Sequence, residues 1–446
     1  MQRPFHKNHY SLKLLVVILF SGLLTGCHKE DHFPPKANVE SADVVYQWYK
    51  LLAKIQLLAN PQPVVILNNR NFGFIGVGLY EAVRPGIKDA VSLSSKLYRM
   101  PEMPQPELFK DYSWSAAANA ALASMSKQFL AGLSDANKAT IDSMENTTND
   151  RLKLSISDAV LSRSQAFGRA VATAVYDWST TDNFNLSSVG YTIPVFTGSW
   201  VRTPPPFADP VGPFLKDSRP FLEYSLTATA PAMPVTYSED PSSEFYKAAK
   251  EVYDIGKNLT DGQKAIASWW ADAGGAGVGV PAPYHILSNV TWILQNQNAK
   301  LGKAAEVYAK VGIAQKDGLI ITFRAKYQYN LIRPITYIKK HIDTAWTSFL
   351  ITPPYPEYTS GFVGLNAPII EVLKREFGDI PVTDDAYHWR GDAPRHYNSL
   401  TELMEEGSMS RVYGGLHYEW TQKVSLEMGK ALGDKIADIN LFSTRY

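Results

Sequence analysis

The chain has 446 residues, a formal net charge of +1 and a hydrophobic content of 45%. A chain of this size can bury a large core, either as one domain or as two fused domains. The near-zero net charge argues against nucleic acid or an acidic polymer as the main partner. Cys27 is the only cysteine, so the fold cannot depend on a disulfide framework.

The first residues have the pattern of an export signal. A basic start precedes an apolar run at 14–20, which is too short to span a bilayer as a permanent helix. The run leads to Leu24-Thr25-Gly26-Cys27, which resembles the lipobox of bacterial lipoproteins. We therefore expect residues 1–26 to be a lipoprotein signal peptide and Cys27 to be the acylated first residue of the mature protein. An ordinary secretory signal is the alternative.

The segment at 27–41 is predicted to be a tether. Its His28-Lys29-Glu30-Asp31 resembles the surface-export tag of some Gram-negative lipoproteins, and a solvated linker is the alternative. We therefore expect an exported protein that contacts the outer membrane through its lipid anchor only. Exposure at the cell surface stays open.

Helical periodicity dominates the rest of the chain, and alternating strands are hard to find. Ser134-Asp135 has the pattern of a helix N-cap. The pattern predicts an all-α fold with an N-terminal helical half at 42–240 and a C-terminal half at 241–446. Helices are predicted to begin near 42 and to cover 69–83, 116–133, 155–178, 243–256, 260–271, 286–300, 304–327, 361–377 and 399–406, with a last helix from near 416.

The segment 194–241 interrupts the helical pattern. It contains ten prolines, and proline fixes φ and lacks an N–H donor, so no regular helix can run through the segment. Interspersed aromatic residues such as Trp200 and Phe221 argue against disorder. We predict a long ordered loop that covers part of the bundle, with a domain linker as the alternative.

Lys326 and Arg333 form the first of three short segments that carry the predicted chemistry. Seven residues are about two helical turns, so we expect both side chains on one helix face. Two adjacent cations repel unless an anion lies between them, and the guanidinium fork matches an oxyanion. The simpler interpretation is a solvated or carboxylate-paired helix face, with Asp272 as a partner for Arg333.

The second segment is Ser360-Gly361, directly before a predicted helix. Amide groups at a helix start, together with the Ser360 hydroxyl, suit an anion, and glycine permits close approach. Three further histidines are assigned structural roles by default: His285, His388 and His396. No pair of histidines or acids has zinc-ligand spacing on one helix face.

The third segment contains Ser410, Arg411 and His417. Gly414-Gly415 lies between them and lets the backbone turn, so Arg411 and His417 can point at one place from different directions. Taken alone, His417 is more simply a buried histidine and Ser410 a turn or N-cap residue. The spacing of all three segments together favours one common pocket.

The three segments resemble the signature of the vanadium-dependent haloperoxidase and type 2 phosphatidic acid phosphatase superfamily. That signature is lysine, six residues, arginine-proline; then proline-serine-glycine-histidine; then serine-arginine, five residues, histidine, three residues, aspartate. Other stretches resemble the larger bacterial haloperoxidase-like members: 80–83, 114–121, 202–207 and 269–272. The resemblance implies a large helical bundle that binds the oxyanion near its end.

The resemblance also assigns roles to residues. His417 would be the axial ligand of vanadium, or the nucleophile that attacks phosphorus, with Ser410 and Asp272 in supporting positions. Vanadate or phosphate oxygens would be held by Lys326, Arg333, Ser360, Gly361 and Arg411.

Two positions depart from the signature. Phe362 replaces its second histidine, the proton donor, and Thr421 replaces the aspartate that orients the remaining histidine. Phenylalanine cannot transfer a proton, and threonine can hydrogen-bond but carries no charge. Losing a general acid typically costs ~10²–10⁴-fold in rate.

Three functions are compatible with this pattern. The preferred one is a haloperoxidase that uses hydrogen peroxide and vanadate to oxidise a halide, because a metal-held reaction tolerates the loss of a proton donor better. The alternatives are an acid phosphatase that cleaves a phosphate ester through phosphohistidine, and a non-catalytic anion-binding surface lipoprotein. The sequence leaves a homodimer open.

Overall fold

The computed structural model describes Met1 and residues 36–57, 65–130, 132–272 and 280–443. The predicted signal peptide, Cys27 and most of the predicted tether lie outside the described residues. The chain from Pro35 to Tyr446 forms one compact unit. Within the described ranges, no helix has both the length and the apolar character needed to span a bilayer.

The first part of the fold is a set of helices joined by short turns. Ser134 caps one of them, as predicted, because its side chain accepts a hydrogen bond from the Asn137 amide at 3.2 Å. The helices are α1 (Asp43–Leu57), α2 (Val65–Val83), α3 (Trp114–Phe129), α4 (Asp135–Leu152), α5 (Asp158–Ser179) and the short α6 (Ser225–Ala228).

The second part is also helical, and the all-α prediction is confirmed. The only strands in the described residues are β1 (Val382–Asp384) and β2 (Arg395–Tyr397), which pair antiparallel. The helices are α7 (Glu244–Lys257), α8 (Asp261–Trp269), α9 (Tyr284–Asn296), α10 (Leu301–Tyr329), α11 (Pro334–His341), α12 (Gly361–Phe377), α13 (Leu400–Tyr413) and α14 (Glu419–Ala437).

The central helix α10 connects the two parts. It packs against both α2 and α12. A Cβ added at Gly76 of α2 would lie 2.3 Å from the Tyr308 carbonyl oxygen, and one added at Gly318 would lie 2.5 Å from the Gly364 carbonyl oxygen. Glycine therefore lets both helices approach the α10 backbone closely, which fixes where the ends of α10 and α12 lie.

The loop at 194–241 lies over the bundle, as predicted. Trp200 and Phe221 are fully buried. The Trp200 amide donates to the Asn330 carbonyl at 2.6 Å, and the Val211 amide donates to the Pro354 carbonyl at 3.1 Å. These bonds place the loop against the C-terminal end of α10, where the first predicted site segment lies.

Some predicted boundaries are wrong. The helix predicted at 116–133 ends at Phe129, and the helix predicted from 155 begins at Asp158. Helix α13 extends to Tyr413, well beyond the predicted 406, so Ser410 and Arg411 lie in its last turn. Helix α11 was not predicted, although proline at its first position is a typical helix start.

Candidate active site

Lys326 and Arg333 lie on different elements, so the prediction that they share one helix face is wrong. Helix α10 ends at Tyr329 because Asn330 adopts the left-handed conformation, with φ of 45°. Pro334 disfavours helical backbone in the residue before it, and Arg333 is the extended N-cap of α11. Both side chains are nevertheless fully buried and lie over the Tyr355 ring, at 4.8 Å for Lys326 and 5.1 Å for Arg333.

The Arg333 guanidinium group is held by main-chain oxygens. Its Nε donates to the Tyr355 carbonyl at 2.9 Å, and its Nη1 donates to the Leu416 carbonyl at 2.9 Å. Its Nη2 is buried without a hydrogen-bond partner among the described residues. Asp272 is not the partner of Arg333: it contacts His285 instead, at 2.7 Å.

The Lys326 ammonium group binds the loop before α12. Its Nζ donates to the carbonyls of Pro356 at 3.0 Å, Glu357 at 3.1 Å and Thr359. Burial and the nearby Arg333 place the pKa of Lys326 well below its usual value. The lysine therefore fixes the loop that leads to Ser360, in addition to adding positive charge.

Ser360 and Gly361 lie at the start of α12, as predicted, and the helix start that they form is called the cradle. Ser360 is the N-cap of α12, but its hydroxyl caps no amide, and its Oγ is buried without a partner in the part of the chain that the structure describes. A Cβ added at Gly361 would meet only the Tyr355 hydroxyl at 3.6 Å and the Lys326 Cε at 3.8 Å. These are ordinary van der Waals distances, so the glycine is not required by a steric clash. The unsatisfied hydroxyl at a helix N-terminus suits an anion.

Arg411 enters the site from the last turn of α13. Its Nε donates to the Ser410 Oγ at 3.1 Å, and its Nη2 donates to the Trp270 carbonyl. The Phe362 ring lies 4.6 Å from the guanidinium carbon, so the residue that departs from the signature packs against this arginine. Gly415, with φ of +75°, turns the chain from α13 towards His417, as predicted.

His417 is buried, and its two ring nitrogens face different groups. Its Nε2 lies 3.2 Å from Arg333 Nη1, and its Nδ1 lies 2.7 Å from a carboxylate oxygen of Glu357. Arginine can only donate, so Nε2 accepts and the ring proton lies on Nδ1. Burial, followed by Arg333, Lys326 and Arg411, places the pKa of His417 well below its usual value, so the imidazole is neutral.

Glu357 is the site residue that sequence reasoning missed. Its side chain is fully buried and accepts a hydrogen bond from Thr421 Oγ1 at 3.0 Å on its second oxygen. Burial raises its pKa to about 7, although Arg333 and Lys326 lower it. One sequence feature could have indicated Glu357: it is the single acid in the otherwise uncharged stretch at 351–363, three residues before Ser360.

His285 occupies a neighbouring buried cluster, whose Asp272 also interacts electrostatically with Arg411. Its Nδ1 faces Asp272 at 2.7 Å and its Nε2 faces Asp384 at 2.8 Å. The Trp270 ring stacks on it with 4.5 Å between ring centres. His388 and His396, the other histidines assigned structural roles, are exposed.

The site combines three buried cations with one buried carboxylate. Lys326, Arg333 and Arg411 are each at most 6% exposed, and Glu357 is fully buried. Unpaired buried charge is costly, so an additional anion beside these side chains would stabilise the site. The fold and the site together define a helical bundle with a buried cluster of positive side chains beside a neutral histidine.

Comparisons with known proteins indicate similarity to vanadium haloperoxidases. The family model for the VCPO second helical-bundle domain matches residues 306–442. The structure of the first bacterial vanadium-dependent iodoperoxidase is similar with a TM-score of 0.81 and 27% identity, covering 91% of this chain and 98% of that chain. A holo-type bacterial vanadium-dependent chloroperoxidase has a TM-score of 0.61 at 18% identity, covering 84% of this chain and 91% of that chain, and shows the fold alone.

Among curated proteins, the vanadium chloroperoxidase of Curvularia inaequalis is 20% identical over 218 residues, which is 35% of this chain. The match spans 36% of that protein's length. The family model, this curated relative and the iodoperoxidase structure together support a relationship between this chain and the vanadium haloperoxidases.

Proposed function

We propose that the protein is a vanadium-dependent haloperoxidase that uses hydrogen peroxide to oxidise a halide. The supporting observation is the pair of buried atoms without partners among the described residues, Arg333 Nη2 and Ser360 Oγ. Both belong to groups that can donate hydrogen bonds to oxyanion oxygens, and Gly361, which follows Ser360, has no side chain to fill the space beside Tyr355 and Lys326. These residues therefore fit a tetrahedral anion such as vanadate.

In this proposal, Arg333, Ser360 and Arg411 would hold the vanadate oxygens, assisted by Gly361 at the start of α12. His417 presents an unprotonated Nε2 as the metal ligand, because its proton is on Nδ1. The positive charge of Lys326 stabilises the bound anion. When bound, vanadate supplies a Lewis acid that activates hydrogen peroxide towards a halide ion.

Iodide is the first halide to test, because the iodoperoxidase structure matches most of this chain. We expect the purified protein, loaded with vanadate, to oxidise iodide with hydrogen peroxide, and His417→Ala to abolish this activity. His396→Ala is the control, since His396 is exposed and lies outside the site. Absence of halide oxidation at saturating vanadate would contradict the proposal. Cleavage of an aryl phosphate without vanadate would indicate a phosphatase instead.

We further propose that the protein is exported and anchored to the outer membrane by acylation of Cys27. The proposal rests on the lipobox-like sequence at 24–27. Metabolic labelling with an alkyne-tagged fatty acid should label the wild-type protein in the membrane fraction. Cys27→Ser should remain unlabelled, and equal labelling of both forms would refute the anchor.

A further inference from the structure

We propose that Glu357 replaces the missing signature aspartate as the residue that positions His417, and that Thr421 holds Glu357 in place. The inference deepens the proposed function and rests on it for the role of His417 as a ligand. It concerns a positioning residue, since Glu357 acts through the imidazole.

The hydrogen-bond pattern shows how Glu357 is fixed. One carboxylate oxygen accepts from His417 Nδ1 at 2.7 Å and from the Tyr418 amide at 3.3 Å. The other oxygen accepts from Thr421 Oγ1 at 3.0 Å. The Glu357 amide donates to the Leu331 carbonyl at 3.0 Å, so the backbone is held as well. The carboxylate thus has a defined position on one side of the imidazole.

This arrangement determines which nitrogen of His417 is available. A carboxylate at Nδ1 keeps the proton there, so Nε2, which accepts from Arg333 Nη1 in this structure, carries a lone pair that could bind a metal. A carboxylate partner also makes the imidazole a more basic ligand. In the signature, the aspartate four residues after the histidine does this, and here the carboxylate comes from a loop 60 residues earlier in the chain.

Thr421 is suited to this exchange because it can donate a hydrogen bond and carries no charge. An aspartate at 421 would lie beside Glu357 in the same buried space, where two carboxylates repel each other. Thr421 also belongs to the structure around the cradle: its carbonyl accepts from Ser425 Oγ at 2.6 Å, and Ser425 Oγ accepts from the Ser360 amide at 3.0 Å. Glu357 and Thr421 are therefore a matched pair.

The matched pair makes a testable pattern of variants. Glu357→Gln keeps the size and an acceptor oxygen but removes the charge, and should weaken vanadate binding about 10–100-fold. Thr421→Asp alone should also weaken binding. The double variant Glu357→Leu/Thr421→Asp, which moves the carboxylate to its usual position, should bind better than Glu357→Leu. The matched control is Glu81→Gln, because Glu81 is also a fully buried carboxylate and contacts Arg84, Ser92 and Leu93.

Vanadate affinity is measured by calorimetry, with the unfolding temperature recorded for every variant. Proton NMR of the unliganded protein is the second readout. A ring proton shared with a carboxylate resonates far downfield, and His417→Asn and His285→Gln assign the signals of the two buried histidines. The His417 signal should disappear in Glu357→Leu, move upfield in Glu357→Gln and return in the double variant.

Wild-type affinity and an unchanged His417 signal in Glu357→Gln would overturn the proposal. A double variant no better than Glu357→Leu, by both readouts, would also overturn it. The NMR signal needs no vanadate and no turnover. It therefore decides the role of Glu357 even if the protein oxidises no halide, in which case the proposed function alone fails.

Discussion

The buried Asp272–His285–Asp384 cluster should make the stability of the fold depend on pH. Each ring nitrogen of His285 faces a carboxylate, at 2.7 and 2.8 Å, and Trp269 Nε1 also donates to Asp384 at 2.7 Å. Burial lowers the pKa of His285, but Asp384 and Asp272 more than offset this and raise it to about 10. The perturbation to test is His285→Gln, which leaves two buried carboxylates without a cation between them.

The magnitude follows from the pKa of His285 in the folded and unfolded states. One pKa unit corresponds to about 1.4 kcal/mol. A rise from 6.5 to about 10 therefore contributes on the order of 5 kcal/mol to the free energy of unfolding. Because the folded pKa is raised, this contribution is fully present below pH 6.5 and is lost as the pH rises to about 10.

Urea unfolding of wild type and His285→Gln at several pH values from 6 to 10 isolates this contribution. The difference in unfolding free energy between the two proteins should fall by about 1.4 kcal/mol per pH unit across the upper part of this range. Exposed His396→Gln, the matched control, should show no such slope. A wild-type-minus-variant difference that stays constant from pH 6 to 10 would refute the reasoning.

Three further predictions concern the oxyanion site. Phe362→His restores a proton donor beside Arg411 and should raise the rate of halide oxidation roughly 10-fold, whereas Phe362→Leu should not raise it. Equal rates for the two variants in steady-state assays would contradict this prediction. Ser360→Ala removes one hydrogen bond to a charged ligand and should weaken vanadate binding about 10–100-fold, as measured by calorimetry. The control is Ser134→Ala in the cap of α4, which should bind vanadate normally. Inorganic phosphate should compete with vanadate for the site. Nitrate at equal ionic strength should not compete, because dissolved salt screens the charges of a buried site poorly. Similar inhibition by both salts would argue against a shaped oxyanion pocket.

Much of the fold could be predicted from sequence because long amphipathic helices follow local rules. The predicted and observed bounds of α12 are both 361–377, since Ser360 and Gly361 mark its start and Gly378 its end. Helix α11 was missed because its eight residues give too short a periodic signal. The break between α10 and α11 depends on Asn330 in the left-handed conformation, which the residue type permits but does not require.

The sequence motifs predicted which residues converge on the site, but not the contacts between them. The spacing predicts Lys326 and Arg333 on one helix face, whereas they reach the Tyr355 ring from two elements. Glu357 could not be linked to His417, because the contact joins residues 60 positions apart through a loop with no regular period. Tertiary contacts of this kind leave no local pattern in the sequence.

The two departures from the signature differ in their consequences. The change from aspartate to Thr421 has little effect on the position of His417, because Glu357 supplies the carboxylate instead. Its oxygen lies 2.7 Å from His417 Nδ1. Phe362 has no such replacement at its own position, where its ring packs 5.6 Å from that of Trp270 and cannot donate a proton. The chain therefore keeps a fixed histidine and a positive pocket but loses a proton donor. Expelling an alkoxide from a phosphate ester needs that proton more than the oxidation of a halide at bound vanadate does. This difference favours halide oxidation over ester cleavage.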